Sequence, residues 1–155
     1  MGLYEYFLKE RDRSFSLLGK AAPDFKLKDL NDSSASLSDF KGKVILLDFW
    51  SVHCAPCIKG IPDSNTLQDK LKGKEFMAVT VCFDSNQKEW KEMISKKNWK
   101  GTHLFNSYEA KINDLYFFDG FPHYVLIDKY GIVRESNASQ DILNLEGHIS
   151  DLLKN

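Results

Sequence analysis

Two cysteines, Cys54 and Cys57, stand directly after the most apolar run in the chain, Val44-Ile45-Leu46-Leu47-Asp48-Phe49-Trp50. The stretch that joins them reads Trp50-Ser51-Val52-His53-Cys54-Ala55-Pro56-Cys57, a buried strand leading into a C-x-x-C pair at a helix start. At a helix N-terminus the free N–H groups and the macrodipole stabilise a thiolate. Cys54 therefore has the position of an exposed nucleophile. Cys57, one turn later, has that of a more buried resolving thiol, able to displace whatever Cys54 has joined in a mixed disulfide. Pro56 fixes φ before Cys57 and helps hold the two sulfurs in register.

Asp48 is the oddity of the apolar strand. A carboxylate there is desolvated and its pKa raised. Six residues before Cys54, it is placed to take a proton from Cys57 as a general base; the plainer reading is a cap for nearby backbone amides. The same cysteines also admit metal chemistry. With His53 and His123 they offer soft ligands for Cu(I) or zinc. Against zinc, the chain has no second C-x-x-C and no H-x-x-x-H pair. A free cysteine between Val81 and Phe83, Cys82, is expected in the core. His103 and His148 have no motif around them and are expected at the surface or at helix ends. His123 is expected to be structural or to line a groove.

These residues must be held by a fold, and 155 residues suffice for one domain with a real core. Hydrophobic residues at 43% and charged ones at 28% are ordinary for a globular protein. The formal net charge of −1 gives no global field toward nucleic acid or an anionic membrane. No apolar run approaches the roughly 20 residues of a spanning helix. The first fifteen residues are too charged for a signal peptide and lack an A-x-A cleavage site. A cytosolic protein and a mature portion with its address removed both fit. Three cysteines are too few for a disulfide scaffold.

Residues 3–18 read as a short amphipathic helix or linker, and residues 19–155 as the domain proper. Phe25, Leu27, Ala35 and Leu37 alternate as a hairpin would around Asn31-Asp32-Ser33. Strand 44–50 is apolar on both faces and belongs at the sheet centre. A helix is expected from Cys54 to about Leu71, kinked at Pro62, and a buried strand over 75–83. Trp90, Met93 and Ile94 mark an amphipathic helix over 86–97. A strand near Thr102–Phe105, a helix near Tyr108–Leu115, strands at 124–127 and 132–134, and a helix from about Gln140 to Leu153 follow. The order predicts an α/β fold, a central sheet with helices on both faces.

Asp48-Phe49-Trp50, Cys54-Ala55-Pro56-Cys57 and Pro62 together resemble the active-site region of thioredoxins. The leading segment Gly19-Lys20-Ala21-Ala22-Pro23-Asp24-Phe25, with Leu37-Ser38-Asp39-Phe40-Lys41-Gly42-Lys43, is similar to the TlpA-like and ResA-like branch. Its members are bacterial extracytoplasmic thiol-disulfide oxidoreductases. The resemblance covers about residues 19–153. It implies a thioredoxin fold, a mixed sheet with an N-terminal β-hairpin extension. It also implies reduction of protein disulfides at Cys54 and Cys57, with Asp48 assisting proton transfer and Trp50, His53, Ala55 and Pro56 as active-site neighbours. It carries Phe121-Pro122 onto the family's cis-proline loop, which receives the substrate backbone. The implied partners are a protein disulfide and a thiol-protein electron donor. No cofactor, resident metal or nucleic acid is expected, the chain working as a monomer outside the cytoplasm. Ala55-Pro56 resembles the reducing members, so the expected potential is nearer thioredoxin's ~−270 mV than DsbA's ~−120 mV.

Four positions depart from the pattern. His53 stands where the family most often has tryptophan; protonated, it would stabilise the Cys54 thiolate and make activity pH-sensitive between about pH 5 and 8. Gly60 replaces a glutamate common in the TlpA-like branch, and Asp48 replaces its asparagine. Thr80 falls where thioredoxins carry a lysine beside the buried aspartate. The alternatives are weaker. Copper-chaperone relatives space their cysteines C-x-x-x-C. A peroxidase needs proline where Leu47 stands. A non-catalytic binding module has no chemical need for both cysteines and Asp48.

Overall fold

The computed structural model describes residues 1–138 and 141–155. The run Val44–Trp50 forms β3, and each of its seven residues is buried. Only a strand with neighbours on both edges and layers on both faces can bury such a sequence. β4 (Phe76–Phe83) lies parallel to it on one side. β6 (His123–Ile127) lies antiparallel on the other. Outward from β4 come β5 (Thr102–Asn106) and the hairpin of β1 (Lys26–Asp29) and β2 (Ser34–Ser36); outward from β6 comes β7 (Val133–Glu135). The seven-stranded mixed sheet has the order β2-β1-β5-β4-β3-β6-β7.

Alternation sorts β3 between two layers. Ile45, Leu47 and Phe49 point into a core completed by Leu17, Phe25, Leu37, Ile112, Tyr116 and Phe118. Val44, Leu46 and Trp50 point the other way, toward α2 (Ala55–Lys70), α3 (Gln87–Lys97) and α5 (Glu146–Lys154). α4 (Ile112–Tyr116) carries Ile112 and Tyr116 into the first layer. α1 (Leu3–Phe15) precedes the sheet, and Arg13 lies over the Phe117 ring at 4.8 Å.

Several boundaries differ from the sequence reading. The helix expected from Tyr108 begins at Ile112; Tyr108 is instead a turn residue with φ 68°. A residue in the left-handed region cannot continue a right-handed helix. Leu37 leaves the hairpin and starts a 3-10 turn, Leu37–Phe40, that folds it into the core. Gln140 lies outside the described residues; after it, a 3-10 turn, Ile142–Leu145, leads directly into α5. The helix expected from Cys54 to about Leu71 is present as α2, with Cys54 and Leu71 as its caps and Pro62 inside it.

Because β3, β4 and β5 are parallel, their C-terminal ends share one edge. Trp50, Phe83 and Asn106 end there, and α2 begins there.

Candidate active site

Cys54 is the N-cap of α2, with extended backbone at φ −101° and ψ 99°. Its Sγ accepts the Cys57 N–H at 3.3 Å, the place where serine or aspartate usually caps a helix. The two sulfurs are joined in a disulfide. They are not equivalent, for Cys57 is wholly buried while Cys54 keeps partial access to solvent. Pro56 falls in the first turn, where a missing N–H leaves no helical bond unmade. Ala55 and Pro56 are both exposed, so the rim of the dithiol is small and apolar.

Trp50 is wholly buried and meets Trp99 edge-on at 5.7 Å, which anchors the loop between β3 and α2 from beneath. His53 points outward, its side chain 71% exposed, with Nε2 3.5 Å from Oδ2 of Asp84. Asp84 follows β4 and is itself buried, its other oxygen accepting the Asn86 N–H at 2.9 Å.

Asp48 is fully buried, and neither carboxyl oxygen has a hydrogen-bond partner. The capping alternative is thereby removed. Burial alone, with no donor to offset it, pushes its pKa up to about 8. The cross-strand register places Thr80 beside it on β4 and Tyr124 beside it on β6.

The Phe121–Pro122 peptide is cis. Phe121 packs on Phe83 at 5.3 Å and Phe118 at 5.8 Å, and also against the cluster that holds Cys54 and Cys57. This brings the Phe121-Pro122 loop to the same edge as the dithiol. His123 follows it but turns to the opposite layer, stacked on Phe118 at 4.7 Å. Burial pushes His123 down to about 4, so its ring is neutral. Among the described residues, no cluster of three or more His, Cys, Asp and Glu is arranged to hold a metal ion.

Residues 17–152 match the Redoxin family. The chain belongs to that family. Over 151 residues it is 30% identical to the thiol-disulfide oxidoreductase ResA of Bacillus cereus, covering 97% of this chain and 86% of ResA. It is 33% identical over 138 residues to the thioredoxin-like protein YneN of Bacillus subtilis, covering 86% of this chain and 69% of YneN. The thioredoxin domain of a thiol-disulfide oxidoreductase from Bacteroides vulgatus superposes with a TM-score of 0.77 at 30% identity, covering 85% of this chain and 97% of that domain. A thiol:disulfide interchange protein from Bacteroides sp. gives 0.79 at 28% identity, over 89% and 91% of the two chains. With its C-x-x-C pair, this redoxin is a thiol-disulfide oxidoreductase with a thioredoxin-like fold.

Two features of this redoxin escape the sequence reading. Gly60 lies under the Tyr124 side chain; a Cβ built on it would sit 2.7 Å from the Tyr124 hydroxyl. The volume of a side chain at position 60 is therefore taken by Tyr124, whose hydroxyl reaches α2 one turn beyond Cys57. Burial, then the charges of Asp48 and Asp63, push Tyr124 up and keep it protonated. His103, expected at the surface, is instead buried in β5, its Nδ1 2.7 Å from the Thr80 hydroxyl. The available signal was its place in the apolar run Thr102–Phe105, where alternation turns it to the α2 side.

Proposed function

We propose that this chain reduces protein disulfides by dithiol-disulfide exchange. The observation that carries the reading is the asymmetry of the pair. One sulfur is accessible at a helix N-terminus, and the other is wholly buried in the layer that holds a buried, unpartnered carboxyl. In the reduced protein the Cys54 thiolate attacks one sulfur of a substrate disulfide. A Cys54–substrate bond forms and the substrate's other sulfur leaves as a thiolate. Cys57 then gives its proton to Asp48 and attacks the Cys54 sulfur. The Cys54–Cys57 disulfide forms, and the second substrate thiolate departs with two electrons now on the substrate.

Asp48 suits that role because a carboxyl titrating near 8 is an effective partner for a thiol near neutral pH. Phe121 and Pro122 form the groove wall beside Cys54, offering an apolar surface to the segment that flanks the substrate cysteine. Trp50 braces the loop from below, and Ala55 and Pro56 leave the approach to Cys54 open. His53 adds an imidazole directly before the nucleophile. Another thiol protein returns the electrons. The extracytoplasmic placement follows from the resemblance to ResA-like proteins; no described helix is long and apolar enough to cross a membrane.

Cys57→Ala tests this directly. It should accumulate a mixed disulfide through Cys54 in the native cell, releasable by dithiothreitol, and mass spectrometry identifies the partner. Absence of any Cys54-linked protein, with Cys54→Ser indistinguishable from it, would remove the assignment.

A further inference from the structure

Asp48 belongs to a row of side chains that crosses four strands on the α2 face. Register sets Tyr124 of β6 opposite Asp48 of β3, Asp48 opposite Thr80 of β4, and Thr80 opposite His103 of β5. His103 is 3% exposed, and the reaction above gives it no part. Its hydrogen bonds determine its tautomer. Nε2 lies 3.1 Å from the Lys100 carbonyl oxygen, and a carbonyl can only accept, so Nε2 carries the ring proton. Nδ1 of the neutral ring is then an acceptor, and the Thr80 hydroxyl, 2.7 Å away, must donate to it. Burial lowers the proton affinity of His103 and keeps the ring in this neutral form.

A hydroxyl has one proton. With it engaged by His103, the Thr80 oxygen presents only lone pairs to its other neighbours. That oxygen is turned to His103 on β5, while Asp48, Thr80's neighbour in register on β3, has no hydrogen-bond partner on either carboxyl oxygen. The remaining groups around Asp48 supply no bond either. The Tyr124 hydroxyl is directed to Gly60 of α2. Cys82, on the same face of β4, makes no bond to Asp48, whose two oxygens are both unpartnered; its sulfur takes the Val52 N–H. Cys57 of α2 is in the disulfide.

We propose that His103 is a positioning residue for Asp48: by taking the Thr80 hydroxyl proton, it withholds from Asp48 a donor that the register sets on the neighbouring strand, which favours the acid form of Asp48 over the carboxylate. The proposal rests on Asp48 as the base for Cys57 only for its consequence in catalysis. The proton arrangement is testable without it. Removing His103 frees the Thr80 proton, and the hydroxyl turns and donates to the Asp48 carboxylate, which a donor stabilises. Removing Thr80 abolishes the donor, and with it any effect of His103.

The experiment follows the Asp48 carboxyl carbon by NMR in the oxidised protein from pH 5 to 10, assigned by its loss in Asp48→Asn. In His103→Phe the midpoint should fall by about one pH unit, the size of one hydrogen bond to a charged group. In Thr80→Val it should not fall, and adding His103→Phe to Thr80→Val should change nothing further. An unchanged midpoint in His103→Phe, or an equal fall in the Thr80→Val background, overturns the proposal. Should both His103→Phe and His103→Leu fail to fold, the wild-type protein decides. Long-range 15N–1H spectra of His103 must show a proton on Nε2 and none on Nδ1, and the reverse tautomer overturns it. The base reading fails separately, if Asp48→Asn resolves the Cys54 mixed disulfide as fast as wild type. If both hold, the pH profile of that step in His103→Phe moves down with the carboxyl midpoint.

Discussion

The substitution Asp48→Asn separates the stability of this protein from its chemistry. In the folded protein the Asp48 carboxyl is wholly buried and unpartnered, and it titrates at about 8, against an ordinary value of 3.8. Below about pH 4 the group is protonated whether the chain is folded or not, and it carries no penalty. Between pH 4 and 8 the unfolded chain releases this proton while the folded one retains it. Stability therefore falls as pH rises through that window, and above about 8 the loss is complete. At 1.36 kcal/mol per pH unit the full loss is about 6 kcal/mol, with water penetration reducing what is measured. Asparagine has the same shape and no charge. Urea denaturation of the oxidised proteins should give similar stabilities at pH 4.5. By pH 8.5 Asp48→Asn should be the more stable by at least about 2 kcal/mol, a large fraction of the 5–15 kcal/mol typical of a domain. The same variant should resolve mixed disulfides about 10²-fold more slowly, the low end of a lost general base. Parallel stability curves for the two proteins across pH 4.5–8.5 would refute the argument that Asp48 is held buried and without a donor.

Gly60→Ala would ordinarily stabilise a helix interior by about 1 kcal/mol, but here the new methyl meets the Tyr124 hydroxyl at 2.7 Å. It should destabilise the protein by about 1–3 kcal/mol, and Tyr124→Phe should restore much of that loss; thermal unfolding of the two single variants and the double variant reads the coupling. A Gly60→Ala protein as stable as wild type would show that the Tyr124 ring can move aside at no cost. His53→Ala removes an exposed partner of Asp84 and should change stability by less than about 1 kcal/mol. If His53 supports the Cys54 thiolate, alkylation of reduced Cys54 at pH 6 should slow by up to about fivefold, the range of a solvent-exposed charge pair. Equal alkylation rates would leave His53 a surface residue. Cys54→Ser should abolish disulfide reduction, whereas Cys57→Ser should retain the first exchange and stall, which a gel under non-reducing conditions separates.

Much of the architecture is legible from local pattern. β3, β4 and β6 announce themselves as apolar runs of strand length, and α3 by its 3.6-residue spacing. Cys82 is in the core, as its type and neighbours require. The errors fall where local pattern and tertiary contact disagree. Tyr108 looks like a helix start in a row of residues, but its ring packs edge-on against Phe83 and its hydroxyl donates to the Phe83 carbonyl. That contact, together with a left-handed backbone, outweighs its helical setting. His103 looks polar and hence exposed, yet a histidine whose two nitrogens are both satisfied is stable inside a sheet.

The sequence alone determined the reactive pair and its chemistry. Cys54 and Cys57 at i and i+3, with proline between and an apolar strand before, place two sulfurs within reach at a helix start, and only short-range geometry is involved. It also exposed Asp48, because a carboxyl in an apolar run of seven is anomalous wherever the strand lies. What surrounds Asp48 came from tertiary structure. Thr80 and His103 lie 32 and 55 residues downstream, and Tyr124 lies 76; strand order and register bring them into one row. Register is set by which faces of all four strands are buried together, a property of the whole sheet. The same packing decides that the Tyr124 hydroxyl occupies the space above Gly60, and that the Phe121–Pro122 loop closes on the edge where Cys54 waits.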